Sequence, residues 1–85
     1  MIHQIKKTPH PIDVHVGKMI CDLRRYKRLS QSEIATRIGV SYQQLHKYEK
    51  AKDRISASKI FLLAKALDVS VDFFFQGMES KNVSS

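Results

Sequence analysis

Side chains between residues 42 and 47 combine several kinds of hydrogen-bonding group, and they are the part of this sequence best suited to recognition chemistry. Gln43 carries a donor and an acceptor on one planar amide, the pair that adenine N6 and N7 require. Lys47 offers donors to acceptors such as guanine O6 and N7. Tyr42 adds a ring that can pack on a thymine methyl group and a hydroxyl that can bind a phosphate. These residue types indicate recognition of a polar surface by hydrogen bonds.

Catalysis and metal binding are not indicated by the rest of the chain. A structural zinc site needs about four convergent ligands, whereas this chain has one cysteine and four scattered histidines: Cys21, His3, His10, His15 and His46. No nucleophile stands beside a base, and there is no glycine-rich phosphate loop. We therefore expect no metal, no cofactor, no small-molecule ligand and no enzymatic activity. Cys21 adjoins an apolar helical stripe, so a small buried thiol is expected, with a redox switch as the alternative.

Two short helices joined by a tight turn are predicted to position the polar cluster. Apolar residues recur at helical spacing on both sides of Gly39, namely Ile34, Ala35, Ile38, Leu45 and Tyr48. Each half begins with the pattern of a capping box, Ser30 with Glu33 and Ser41 with Gln44. Gly39 can adopt the left-handed conformation that ends the first helix and turns the chain. The stretch 30–49 therefore predicts a helix-turn-helix motif.

Three further helices complete a predicted all-α fold of five helices, in which the motif supplies helices 2 and 3. They run over 13–28 with Asp13 as N-cap and Tyr26 or Met19 in the buried stripe, from Ser56 or Ser58 to about Leu67, and over 71–75 with Ser70 as N-cap. Residues 1–12 contain two prolines and predict an extended arm, either loose or in contact with phosphates. The predicted division is an arm at 1–12, a domain at 13–77 and a flexible tail at 78–85.

The composition fits one small globular domain with a polyanionic partner. The chain has 85 residues and a single cysteine, which excludes an intramolecular disulfide and suits a reducing compartment. Its formal net charge is +7, and the excess lies in residues 1–12, 13–29 and 40–54, whereas 30–39 and 55–77 are neutral. Such a distribution favours a partner such as nucleic acid. We expect a soluble, cytoplasmic protein without a signal peptide or a membrane span.

A specific combination of residues accompanies the motif: Leu29-Ser30-Gln31, Ile34-Ala35, Gly39-Val40-Ser41, Leu45, Tyr48-Glu49, Ile55-Ser56, Ala64, Leu67 and Val69-Ser70-Val71-Asp72. In this combination the chain resembles the Cro and phage-repressor type (XRE-like) helix-turn-helix family, a five-helix DNA-binding domain of many bacterial and phage regulators. The resemblance covers about three quarters of the chain. The stretches 11–17, 43–50 and 73–75 are similar to small alphaproteobacterial regulators.

The resemblance implies a role for each polar residue of the motif. In such domains the second helix of the motif lies in the major groove of duplex DNA. Base contacts are therefore expected from Tyr42, Gln43 and Lys47, and phosphate contacts from Gln31, Gln44, Lys50, Lys52 and Arg54. His46 also faces outward, as a DNA contact or as plain surface. Double-stranded DNA is the expected partner, because the narrow major groove of A-form RNA does not admit a helix.

Arg24 and Glu49 occupy positions that form an ion pair in the resembling domains, and we expect this structural pair to fix the recognition helix against the first helix. Ala51 stands where the family usually has glycine, so the recognition helix is expected to end less sharply or to continue a little. The following loop is about one residue longer than in the shortest phage repressors. This length leaves the register of Lys52 and Arg54 against phosphates open.

The heaviest apolar cluster is Phe73-Phe74-Phe75. Successive helical residues point about 100° apart, so at least one ring is expected on the surface. These rings and Met78 are the predicted dimer interface, and the resemblance favours a homodimer on a pseudo-palindromic operator. The expected function is a sequence-specific transcriptional regulator, in the simplest case a repressor. The alternatives are an antitoxin-like or other interaction module that uses the Phe cluster, and a nonspecific nucleic-acid coat.

Overall fold

The structure is a computed structural model that describes residues 8–78. In this range the chain forms four α-helices and one 3-10 helix and no strand: α1 Pro11–Tyr26, α2 Gln31–Ile38, α3 Tyr42–Glu49, α4 Ala57–Leu67 and the 3-10 helix Val71–Phe75. The all-α prediction is confirmed, although the fifth helix is 3-10 rather than α. Most of the predicted arm and tail lies outside the described residues. No helix among those described is long and apolar enough to cross a membrane.

Helix α1 begins two residues before the predicted N-cap. Pro11 takes its first position, where a missing N–H costs nothing. The N-cap is His10, whose Nδ1 accepts from the Ile12 N–H at 3.0 Å. Asp13 lies instead in the first turn, where a negative charge suits the helix dipole. The predicted boundary between an arm ending at residue 12 and a helix starting at Asp13 is therefore wrong. Tyr26, one of two candidates for the buried stripe, is 83% exposed.

Serine side chains begin α2, α3 and α4, each accepting from the N–H three residues later at 3.0 to 3.2 Å: Ser30, Ser41 and Ser56. The box at Ser30 is complete, because Glu33 accepts from the Ser30 N–H at 2.7 Å. This backbone hydrogen bond, with the one from the Ser30 side chain, holds the pKa of Glu33 below its usual value. The predicted box at Ser41 is only half formed, since the Gln44 side chain donates to Asp53 instead.

The four α-helices share one way of ending. Each is followed by a residue with φ between 59° and 76°, in chain order Arg28, Gly39, Ala51 and Asp68. The next N–H returns to the carbonyl five residues earlier at 2.8 to 3.0 Å, the Schellman arrangement. The prediction that α3 ends less sharply without glycine is therefore wrong, because Ala51 adopts the left-handed conformation itself. Such a conformation costs an L-residue roughly 1–2 kcal/mol.

Helices α2 and α4 each close the other's C-terminal end. Arg37 from the last turn of α2 donates to the Ala66 carbonyl at 3.2 Å. Lys59 from the first turn of α4 donates to the Ile38 carbonyl at 3.0 Å. Between the helices lies a core whose largest fully buried side chains are Ile20, Ile34, Ile38, Leu45, Leu63, Leu67 and Phe74. These contacts fix α4 against α2, and α2 in turn packs against α3.

The three phenylalanines of the 3-10 helix have different environments. Phe74 is completely buried and meets Phe73 edge-on, with ring centroids 5.8 Å apart. Phe75 is 37% exposed. The prediction that Phe74 belongs to the dimer interface is therefore wrong, because the core of its own protomer encloses this side chain. Ser70, the predicted cap, makes no side-chain hydrogen bond to this helix, which packs against α1 and α4 instead.

Candidate nucleic-acid interface

One face of α3 is turned entirely outward. Tyr42, Gln43, His46 and Lys47, hereafter the outward face, are exposed. On the opposite side Leu45 is completely buried and Tyr48 is 8% exposed. Because residues of a helix alternate faces with a period of 3.6, burying these two fixes the direction of the other four. The predicted orientation of the helix is confirmed, and the base-reading role stays a prediction.

The outward face lines a shallow surface concavity of about 350 Å³. Gln31 from the start of α2 and Lys52 from the loop after α3 complete its lining. Lys52 directly follows the left-handed residue Ala51 and is exposed. The residues that follow the left-handed residue after the other three helices are apolar and pack against the core: Leu29, Val40 and Val69. The helix end thus directs a cation toward the outward face.

A buried ion pair joins α1 to the end of α3. Arg24 Nε donates to Glu49 Oε2 at 2.7 Å, and Nη2 donates to Oε1 at 3.1 Å. The two residues are 8% and 7% exposed. The third guanidinium nitrogen, Nη1, donates to the Leu29 carbonyl at 2.8 Å. Thus the structure brings the predicted pair into bidentate contact and ties it to the start of the motif.

The ion pair sets the charge states of its members. The hydrogen bond to Glu49 raises the pKa of Arg24 and outweighs the opposing effect of burial. Burial raises the pKa of Glu49, but hydrogen bonds from Arg24 and Gln31, together with the Arg24 charge, bring that pKa below its usual value. Cys21 Sγ lies 4.0 Å from Arg24 Nη2. Its side chain is half-buried, less enclosed than predicted.

Gln31 has a different set of contacts from the one predicted. Its Nε2 donates to Glu49 Oε1 at 3.0 Å and lies 3.4 Å from His46 Nδ1. An amide NH2 has two hydrogens, and Glu49 and His46 are the partners within reach of them in this structure. A phosphate contact by this side chain would have to replace one of these two partners, and it stays a prediction. Its backbone N–H, at the first position of α2, remains suited to an anion.

Four other residues are predicted to contact phosphates. Two of them, Gln44 and Arg54, lie against carboxylates, and the two lysines, Lys50 and Lys52, line different depressions. Gln44 donates to Asp53 at 3.0 Å and holds the loop after α3, and Arg54 Nε lies 3.4 Å from Asp13 on the surface. Lys50, by contrast, lines a separate depression against α1. The structure therefore places Lys52 beside the outward face and Lys50 apart from it.

Gly17 is a positioning residue that the sequence reasoning missed. A Cβ atom built on it would lie 2.6 Å from the Tyr48 carbonyl oxygen and 2.7 Å from that of Glu49. Only a residue without Cβ lets α1 approach the end of α3 this closely. The available signal was a glycine inside a predicted helix, which costs about 1 kcal/mol relative to alanine and so indicates a packing reason.

Within residues 8–78 no three His, Cys, Asp or Glu side chains converge in a way that could hold a metal ion.

The model of the family described as helix-turn-helix (HTH_3) matches residues 22–74, more than half of the chain. This chain belongs to the helix-turn-helix family of the Cro and phage-repressor type. The matched segment contains the ion pair, the outward face and the core helices α2 to α4.

The curated relatives that this chain matches are HTH-type transcriptional regulators of alphaproteobacteria. A transcriptional regulator in the ATPase CF(0) region of Rhodospirillum rubrum is 47% identical over 73 residues, which are 86% of this chain and 68% of that protein. An HTH-type transcriptional regulator of Rickettsia conorii is 49% identical over 71 residues, 84% of this chain and 57% of its own. The chain thus spans between about half and two thirds of the curated relatives it matches. Such regulators are not enzymes.

Solved helix-turn-helix proteins share the fold. The restriction-modification controller protein C.AhdI from Aeromonas hydrophila superposes with a TM-score of 0.70 at 31% identity, over 73% of this chain and 94% of that chain. The P22 c2 repressor in complex with a synthetic operator gives a TM-score of 0.67 at 24% identity, over 74% of this chain and 96% of that chain. The second likeness shows the fold alone.

Proposed function

We propose that this chain reads a specific sequence of double-stranded DNA and regulates transcription from it. The observation that carries the proposal is the outward face of α3, whose donors and acceptors stand on a helix held from behind by the Arg24–Glu49 pair. A rigid helix of this kind lies in a major groove and meets base edges. Because its partner is then chromosomal DNA, we place the protein in the cytoplasm. The relatives do not favour the protein-interaction alternative.

The test is to sequence the chromosomal fragments that the purified protein retains at near-physiological salt. Lys47→Ala and Lys65→Ala form a matched pair, since each removes one exposed lysine, from the outward face and from α4 respectively. We expect the wild type and Lys65→Ala to retain the same few fragments and Lys47→Ala to lose them. Retention of arbitrary fragments by the wild type would instead support a nonspecific coat.

We further propose a homodimer whose interface is centred on the exposed Phe75, with the half-buried Phe73 and Met78 beside it. The two-fold axis of such a dimer would relate two α3 helices, one for each half-site of a duplex. Exposed apolar area of this kind is a common mark of an association surface. The corresponding operator is pseudo-palindromic, with half-sites one helical turn apart, roughly 34 Å.

Sedimentation of two phenylalanine variants tests the dimer. Phe75→Ser removes the ring at the proposed axis, and Phe61→Ser removes an even more exposed ring on α4, beside the Lys65 ammonium. We expect Phe75→Ser to be monomeric and Phe61→Ser to sediment as the wild type does. A monomeric wild type would contradict the dimer without affecting the DNA-reading proposal.

Repression by occlusion is the regulatory mode that we propose, because a protein bound across a promoter excludes the polymerase. A reporter gene under a promoter that contains the retained site tests this. We expect expression to fall when the protein is present and to recover with Lys47→Ala. An increase in expression would instead assign an activating role.

A further inference from the structure

A hydrogen-bonded series connects the buried ion pair to the outward face of α3. Glu49 accepts from Arg24 on α1 and from Gln31 on α2. The same Gln31 nitrogen lies 3.4 Å from Nδ1 of His46 on α3. The series therefore passes through three helices and ends at His46, whose role the sequence leaves open between a DNA contact and plain surface.

The orientation of the Gln31 amide follows from the carboxylate that it meets. An ionised carboxylate only accepts hydrogen bonds, and hydrogen bonds from Arg24 and Gln31 hold the pKa of Glu49 below its usual value. The NH2 group of Gln31, rather than its oxygen, must therefore face Glu49 at 3.0 Å. That fixes the amide in one of its two flipped positions.

The amide in turn fixes the proton on the histidine. An amide NH2 donates and cannot accept, so the Nδ1 atom of His46 must be the acceptor in this contact. In a neutral imidazole the other nitrogen then carries the proton. Accepting at Nδ1 thus leaves the N–H of a neutral His46 ring at Nε2, an atom that has no hydrogen-bond partner among residues 8–78.

The ring lies where DNA would meet it. His46 is exposed and lines the same concavity as Tyr42, Gln43 and Lys47. We propose that His46 is a further DNA-contacting residue of α3, a neutral donor to an acceptor of duplex DNA, and that Gln31 is the positioning residue that fixes its tautomer. The acceptor is a guanine O6 or N7 atom or a phosphate oxygen. This inference rests on the proposed function.

The first test does not involve DNA. Long-range proton–nitrogen correlation spectra of the full chain, recorded in mildly alkaline buffer where histidine rings are neutral, report which ring nitrogen is protonated. We expect the Nε2–H tautomer of His46 in the wild type and a mixture of tautomers in Gln31→Ala. A predominant Nδ1–H tautomer in the wild type, or identical spectra in a folded Gln31→Ala, would overturn the inference.

The second test measures affinity for the duplex that the wild type selects. His46→Gln puts an amide donor near the position of Nε2, whereas His46→Asn puts one near Nδ1 and His46→Ala supplies none. We expect His46→Ala and His46→Asn to bind about tenfold more weakly and His46→Gln to bind close to the wild type. Wild-type affinity in His46→Ala, or equal losses in all three variants, would overturn the inference.

The pattern of loss distinguishes the two acceptors and the charge of the ring. A guanine contact predicts that His46→Ala loses selectivity at one base position, and a phosphate contact predicts the same loss of affinity on every duplex.

A neutral donor releases no counterion, so the salt dependence of binding should be the same in His46→Ala as in the wild type. A decrease of about one in that slope would show a cationic ring and overturn the neutral donor.

Failure of the proposed function gives a different result. A wild type that selects no sequence would overturn sequence-specific reading and with it the DNA contact of His46. The tautomer measurement would still decide whether Gln31 positions the ring. Conversely, the wild type could select a clear site while His46→Ala binds it with wild-type affinity. That result would overturn the role of His46 and leave the proposed function intact.

Discussion

Glu49, the last residue of α3, makes two kinds of contact with one carboxylate: it pairs with Arg24 of α1 and accepts a hydrogen bond from Gln31 of α2. Replacing Glu49 should lower the free energy of unfolding far more than replacing a surface acid. Glu49→Ala leaves the Arg24 guanidinium buried without its counter-charge, and we expect a loss of about 3–5 kcal/mol in the free energy of unfolding. Denaturant unfolding curves measure this loss.

Asp22→Ala is the matched control, because Asp22 pairs with Lys18 on the exposed side of α1 with the two side chains 58% and 72% exposed. Exposed pairs of this spacing contribute about 0.3–0.5 kcal/mol. Equal and small losses in Glu49→Ala and Asp22→Ala would contradict a supporting role for the buried pair.

Acid should destabilise the fold through the same residue. The pKa of Glu49 is lower in the folded state than its usual value of about 4.3. Its stabilising contribution is therefore complete above that value and is lost as the pH falls through the lower, folded-state pKa. We expect unfolding free energy to decrease steadily below about pH 4.3, and to decrease less steeply in Glu49→Gln. Parallel pH profiles of the two proteins would contradict this assignment.

At the residue scale, sequence patterns predicted which α3 side chains face outward, because Leu45 and Tyr48 had to face the core. The Arg24–Glu49 contact was reachable only through family resemblance, since nothing local indicates that residues 25 positions apart meet. The contacts of Gln31 were not predicted. Its amide direction depends on a carboxylate brought close by tertiary packing.

At the scale of elements, the crossing of α1 and α3 places the outward face. Gly17→Ala improves the helix propensity of α1 by about 1 kcal/mol, but its methyl group would meet two backbone carbonyls at 2.6 and 2.7 Å. Backbone cannot move aside as a flexible side chain can. We expect a net destabilisation of about 1–3 kcal/mol and weaker operator binding by the folded protein, measured by unfolding and by titration with DNA.

Gly39→Ala provides the contrast. Apart from its chain neighbours, no atom of residues 8–78 lies within 4 Å of a Cβ at this position, yet its φ of +76° is left-handed. We expect a cost of roughly 1–2 kcal/mol from backbone strain alone, with unchanged operator affinity once the protein is folded. If Gly17→Ala also left operator affinity unchanged, the close approach would have no part in positioning α3.

Helix starts were more predictable than helix ends. Ser30, Ser41 and Ser56 cap helices as the sequence indicated, because a hydroxyl and the N–H three residues later form a local arrangement. Three helix ends use a left-handed residue that is not glycine, namely Arg28, Ala51 and Asp68. Propensity alone does not predict these ends, since packing of the surrounding core compensates the strain. The first turn of α1 was missed because Pro11 was taken as a helix breaker rather than a first helical residue.

At the scale of the whole molecule, apolar and basic surfaces lie on different elements. Phe75 and Val71 expose apolar area on the 3-10 helix, while Lys47 and Lys52 border the concavity on α3. The sequence indicated that one phenylalanine stays on the surface but not which one. Burial of Phe74 rather than Phe75 depends on how the 3-10 helix packs against α1 and α4.

Selection from randomised duplexes at near-physiological salt, by the wild type and by Gln43→Ala and Lys47→Ala, tests the central claim most directly. We predict a two-fold-related site in which Gln43→Ala relaxes the preference at an adenine and Lys47→Ala at a guanine, each discrimination being worth about 1–3 kcal/mol. No enriched sequence, together with binding that disappears as salt rises, would contradict sequence reading by α3.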